Sequence, residues 1–158
     1  MNSIQCSLDA LHDYKKMSFE VFGEVVGKSR PRFTMQHGYV RTYEPKKTKD
    51  YEKLIKTAYV QKYKNFVSDK ALRVGVYIYI KPAKNISNKK KTSFLNNEFY
   101  PTKKPDVDNV IKCVLDALNN VAYHDDTQVV EQAVKKRFGE EEKIIVFIEE
   151  IGMRMQKR

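Results

Sequence analysis

The run KPDVDNVIKCVLDALNNVAYHDD sets Val107, Val110, Ile111, Val114, Leu115, Leu118 and Val121 at helical spacing, the cleanest apolar stripe in the chain. A fold built around it must bury that stripe, so the run predicts a core helix. Advancing about 100° per residue from Val107 keeps the stripe within roughly 80° of one direction. Asp108, Lys112 and Asp116 fall outside it, and Cys113 falls on the polar side. Asp108 and Lys112 share a flank one turn apart, with Asp106 at the helix mouth beside them. Asp125 and Asp126 follow after a turn through Asn119, Asn120 and Tyr123. A strand leading back along the helix could carry one of them to the same place.

Four carboxylates gathered around one helix in a chain of net charge +10 call for a counter-ion. Mg²⁺ takes oxygen ligands in near-octahedral geometry and keeps several waters, so two to four converging aspartates suit it. The candidate metal ligands are Asp106, Asp108, Asp125 and Asp126, with Mn²⁺ as the substitute ion. No His stands in a ligand pair, which disfavours zinc. The same residues have an ordinary explanation. Asp before a helix is a common N-cap, Asp in the first turn suits the macrodipole, and Asp-Asp is turn chemistry. His124 reads as a partly buried turn residue rather than a base.

The rest of the chain reads as α+β. At 158 residues and 41% apolar it is long enough for one domain with a real core. The expected division is an N-terminal extension over 1–16, a domain over 17–152 and a basic tail over 153–158. Ser18 to Gly27 reads as a strand. RFTMQHGYVRTYEP reads as two short strands turning at Gln36-His37-Gly38, and Pro45 opens a helix over about 46–65. Ala71 to Pro82 is the most β-prone run and is expected at the centre of a small mixed sheet. Residues 83–103 read as a long loop, a mobile basic flap carrying Lys89, Lys90 and Lys91. TQVVEQAVKKRF and EEKIIVFIEEI read as a closing β-hairpin. Two main helices and a small sheet result.

Charge is unevenly spread. Residues 28–104 hold 20 Lys and Arg against 5 Asp and Glu, whereas 105–152 hold 5 against 11. A basic half followed by an acidic focus suits a protein that grips a phosphate backbone and cuts it with bound metal. The candidate DNA contacts are Lys28, Arg30, Arg32, Arg41, Lys46, Lys47, Lys103 and Lys104. Arg30 and Arg32 flank Pro31 on a stiff loop. Cys6 and Cys113 form no metal pattern and are expected as unbridged thiols, buried or idle. No stretch approaches the roughly 18 apolar residues of a membrane span, and the first residues lack the apolar centre of a signal peptide. The expectation is a cytoplasmic protein with no membrane partner.

The assembly of GKSRPRFT, RTYEPKKTKDYE, KPDVDNVIKCVLDAL and HDDTQVV resembles the RusA family of Holliday junction resolvases, over roughly Ser18 to Ile151. The resemblance implies that Asp106, Asp108, Asp125, Asp126 and Lys112 carry catalysis. It also implies a Mg²⁺-dependent homodimer acting on four-way junction DNA in recombination and repair. The chain departs from the family in its N-terminal extension and in the NISNKKKTSFLNNEFYPTKK insertion.

The chemistry also stands on the residues. Phosphodiester hydrolysis needs an activated water and positive charge near the transition state. Carboxylate-held Mg²⁺ supplies both, and Lys112 could add charge or protonate the leaving 3′ oxygen. A junction has two-fold symmetry and needs two matched nicks, which a C₂ dimer delivers. The first expectation is therefore a structure-selective endodeoxyribonuclease. The alternatives are a non-catalytic basic nucleic-acid-binding protein and a DxD glycosyltransferase, whose usual scaffold is larger than this chain.

Overall fold

The computed structural model describes residues 14–152, so most of the expected N-terminal extension and the whole of the 153–158 tail lie outside the described residues. The fold is α+β. Strand β1 (Lys16–Phe22) is followed by β2 (Arg32–Gln36), β3 (Tyr39–Tyr43), helix α1 (Lys46–Tyr63), β4 (Ala71–Ile80), α2 (Asn88–Leu95), α3 (Val107–Leu118), β5 (Val129–Phe138) and β6 (Lys143–Ile151). Four strands form a mixed sheet in the order β1-β6-β4-β5, and β2 and β3 form a separate two-stranded ribbon.

Alternation along the strands explains the core. Met17, Phe19 and Val21 of β1, Ile144, Val146 and Ile148 of β6, and Leu72, Val74, Val76 and Ile78 of β4 are buried on one face. Two helices cover it. Helix α1 contributes Tyr51, Ile55 and Tyr59 at four-residue steps, and α3 buries seven of its twelve residues. The stripe expected for α3 is therefore present, with Val107 left exposed at its mouth.

Cys113 is a buried, unbridged thiol, as expected, although helical projection put it on the polar side. It is fully buried because α1 packs over that flank, with Tyr51 and Glu52 nearby.

Strand β1 stops five residues short of Gly27. Gly23 turns the backbone at φ +107°, and its N–H donates to Glu142 O, which leaves residues 24–30 as a loop. The ribbon turns at His37 and Gly38, both at positive φ, which the tight turn of a two-residue hairpin requires.

The expected closing hairpin does not form. Strand β4 lies between β5 and β6, running parallel to β5 and antiparallel to β6. The near-continuous apolar run of β4 calls for a neighbour on each edge, and the largely exposed β5 accepts an outer position. The expected loop at 83–103 likewise contains α2, whose N-cap Ser87 hydroxyl accepts from Lys90 N.

Candidate catalytic cleft and nucleic-acid interface

The loop over residues 24–30 is seated on the first turn of α3. Lys28 N donates to Asn109 O at 2.7 Å, and a Cβ on Gly27 would meet Asn109 Cβ at 2.9 Å, so glycine is what permits this approach. Loop, Lys104-Pro105 and helix mouth together enclose an open cleft of about 740 Å³, lined by Asp106, Asp108, Asn109, Arg30 and Lys104 among others.

Asp106 occupies the N-cap position but makes no side-chain cap bond. Among the described residues its carboxylate accepts one hydrogen bond, from Asn109 Nδ2 at 3.5 Å. Asp108, in the first helical turn, has no hydrogen bond or ion pair among the described residues, and both carboxylates are exposed. They remain available to a hard cation. Lys112 is exposed one turn along the same flank and makes no ion pair among the described residues. Its other candidate partner, Asp116, is engaged elsewhere.

Asp125 and Asp126 stand apart from this cleft. Helix α3 has twelve residues and so is about 18 Å long. Asp106 is at its start, while Asp125 and Asp126 follow its end, beside Tyr123, whose hydroxyl donates to Leu115 O. Strand β5 does lead back along the helix, since Lys136 Nζ donates to Lys103 O and Pro105 O. The aspartate pair, however, sits at the beginning of that path. Asp125 caps a single 3-10 turn, Asp126–Gln128: hydrogen bonding from the Thr127 side chain, and then from Thr127 N at 2.9 Å, holds its carboxylate below the usual range, while Gln128 Oε1 accepts from Asp125 N. Asp126 is half-buried beside it, and His124 is exposed. Among the described residues, no three His, Cys, Asp or Glu side chains converge as a cation site within one subunit.

The expected DNA contacts divide. Arg30 and Lys104 line the cleft without ion pairs among the described residues, and Lys46 and Lys103 are exposed. Lys47 also lines it but pairs with Glu24 at 2.6 Å. Lys28 is not a free cation. Its ammonium lies 2.5 Å from Glu44, 2.7 Å from Glu52 and 2.8 Å from Asp116, so its three N–H groups are used inside the protein. No sequence signal marked this hub, because its partners are scattered along the chain.

Arg32 and Arg41 are carried by the ribbon, whose register sorts its side chains. Phe33, Met35 and Val40 share one face, and Arg32, Arg41, Tyr39 and Tyr43 the other. Phe33, Met35 and Val40 are 72%, 74% and 66% exposed, an apolar surface that a lone subunit leaves uncovered. The alternation of Phe33 and Met35 was the signal that could have revealed it.

The family model for endodeoxyribonuclease RusA matches residues 23–149, a span that takes in the loop, the ribbon, α3 and the aspartate pair. The chain belongs to the RusA endodeoxyribonuclease family. It is also similar to the uncharacterized protein YqaN of Bacillus subtilis (strain 168), at 36% identity over 138 residues, covering 86% of this chain and 97% of that protein. Membership in a nuclease family agrees with a cleft that sets unpaired carboxylates beside unpaired cations. Among the described residues, no helix is long and apolar enough to cross a membrane.

Proposed function

We propose that the chain is a Mg²⁺-dependent, structure-selective endodeoxyribonuclease that resolves four-way DNA junctions by paired symmetric nicks, acting as a homodimer. The observation that carries this reading is the cleft, in which Asp106 and Asp108 make no ion pair among the described residues and Arg30 and Lys104 line the same space. Two carboxylates suffice as protein ligands for Mg²⁺, which binds through one or two carboxylates together with substrate phosphate and water. The donor set therefore fits the ion, or Mn²⁺ in its place. When bound, the ion would supply an activated water and charge stabilisation at the scissile phosphate. Arg30 and Lys104 would seat that phosphate, Arg32 and Arg41 the flanking backbone, and Lys112 would hold the proton for the leaving 3′ oxygen.

The distance between Asp108 and Asp126 within one subunit supports a shared site, in which the Asp126 end of one copy meets the Asp108 end of another. The uncovered apolar face of the ribbon is a surface a second copy could cover. Mixing Asp108→Asn with Asp126→Asn protein on a labelled four-way junction tests this. In a shared site, each mixed dimer has one site with both changes and one with neither, so Mg²⁺-dependent nicking returns. With each site inside a single subunit, every site keeps one change and the mixture stays inactive.

The absence of three converging ligand side chains among the described residues favours the second reading, a basic DNA binder without catalysis. Parent protein that binds the junction yet never nicks it in Mg²⁺ or Mn²⁺ would establish that reading.

A further inference from the structure

We infer that residues 83–103 form a fixed DNA-binding arm that extends the phosphate track beyond the cleft. The assignment rests on the nuclease reading only for the direction in which the DNA runs. The segment leaves the body at Pro82 and returns at Pro101, both buried, so its two roots are held. Between them lies α2. A helix of eight residues is marginal alone, and contacts to β5 hold this one. Phe94 stacks on Phe138 with ring centroids 4.4 Å apart and planes within 8°, Phe99 meets Phe94 edge-on at 5.5 Å, and the Arg137 guanidinium lies over Tyr100 at 4.6 Å.

The outward side is cationic. Lys84, Lys89, Lys90 and Lys91 are exposed and make no ion pair among the described residues, and Glu98 is the sole acid of the segment. The three consecutive lysines fall in the first turn of α2, where no acid offsets them. A helix dipole disfavours cations at that end and like charges repel; Lys90 lies over the Phe94 ring at 5.8 Å, but the side chains of Lys89 and Lys91 serve no contact in the helix among the described residues. A polyanion outside it would relieve both effects.

Position makes that polyanion the cleft's own substrate. Phe138, which holds α2, and Lys136, which holds the carbonyls of Lys103 and Pro105, are alternate residues on one face of β5, about 7 Å apart along the strand. The arm and the turn that presents Asp106 are thus anchored side by side. Lys103 and Lys104 join them, so the basic surface runs from the cleft rim onto α2.

The test is the salt dependence of junction binding, measured with a four-way junction in EDTA so that nothing is cut. In the triple variant Lys89→Ala, Lys90→Ala, Lys91→Ala, the slope of log K against log salt should fall by about 3 per bound subunit, and Kd near 0.1 M salt should rise at least about tenfold. A control with equal charge loss on α1 and its end, Lys53→Ala, Lys56→Ala, Lys64→Ala, should change the slope by less than about 1. Phe94→Ala keeps every lysine but frees the helix, and should weaken binding by several-fold. An arm variant that matches the parent, or a control that loses as much as the arm variant, overturns the assignment. Since cutting is not read, a parent that never nicks in Mg²⁺ defeats the nuclease reading and leaves this comparison decisive.

Discussion

Lys28 Nζ and Asp116 Oδ2 lie 2.8 Å apart, joining the loop that carries Arg30 to the last turn of the helix that carries Asp108. Glu44 and Glu52 close on the same ammonium, which is 21% exposed. Burial works against the charge, yet the hydrogen bonds to Asp116, Glu44 and Glu52 outweigh it and raise the pKa above the ordinary lysine value. Lys28→Met would leave three carboxylates facing one another. The expected loss is about 2 to 3 kcal/mol, below the roughly 3 to 5 kcal/mol of a fully buried pair because the site is partly solvated. Urea unfolding measures it, and a variant as stable as its parent would reduce the hub to surface chemistry.

Asp106→Asn and Asp108→Asn keep shape and remove charge from carboxylates that make no ion pair among the described residues. Nicking should fall by about 10²-fold or more, while junction affinity stays equal or tightens as a negative charge leaves the DNA surface. Gel assays of binding in EDTA and cutting in Mg²⁺ separate the two. Loss of binding together with cutting would make the aspartates structural.

Lys112 is exposed and makes no ion pair among the described residues, so Lys112→Ala should leave stability within about 0.5 kcal/mol of the parent. Its cutting rate should drop by about 10²-fold, the low end for removing a general acid. The informative readout is the pH profile under single turnover. A variant that cuts normally would release Lys112 from the mechanism.

Periodicity made α3 and its acidic mouth legible, because a buried helix repeats its apolar residues at a fixed angle and the D-x-D spacing is local. The ribbon turn was legible for the same reason, since His37-Gly38 is a local signal. What the chain did not announce was tertiary. The insertion of β4 between β5 and β6 depends on pairing partners tens of residues apart. Burial of Cys113 depends on α1 crossing one flank of α3, and the Lys28 hub on three acids from three separate segments. The Asp125-Asp126 pair was visible as residues. Its place at the far end of α3 was not, because spacing fixes contour length and leaves direction open.

Cys113 should be inert in the folded protein. It has no exposed surface, and burial, with the nearby Glu52 charge adding to it, pushes its thiol up to about 12. At pH 8 only about one molecule in ten thousand would then carry the thiolate. In a Cys6→Ser background, a thiol reagent should fail to label native protein over hours and label it fully in urea. Rapid labelling without denaturant would mean that α1 opens from α3 readily.

Glu150 should give the fold an acid-sensitive contribution. It is 5% exposed, and its carboxylate accepts from the Ser68 hydroxyl at 2.6 Å, Lys15 N at 3.0 Å and Lys70 Nζ at 3.1 Å. Burial opposes the charge, but the bonds from Ser68, Lys15 and Lys70 prevail and hold the carboxyl below the usual glutamate range. A depressed folded pKa contributes stability that is complete above the unfolded value of about 4.3 and disappears as pH falls through the folded value. Glu150→Gln should therefore be about 1 to 3 kcal/mol less stable at pH 7, where the ionised contacts are lost. The gap should narrow steadily below about pH 4. Urea midpoints across pH 3 to 7 would show the two curves converging on the acid side, and a gap constant over that range would assign the acid sensitivity to other carboxylates.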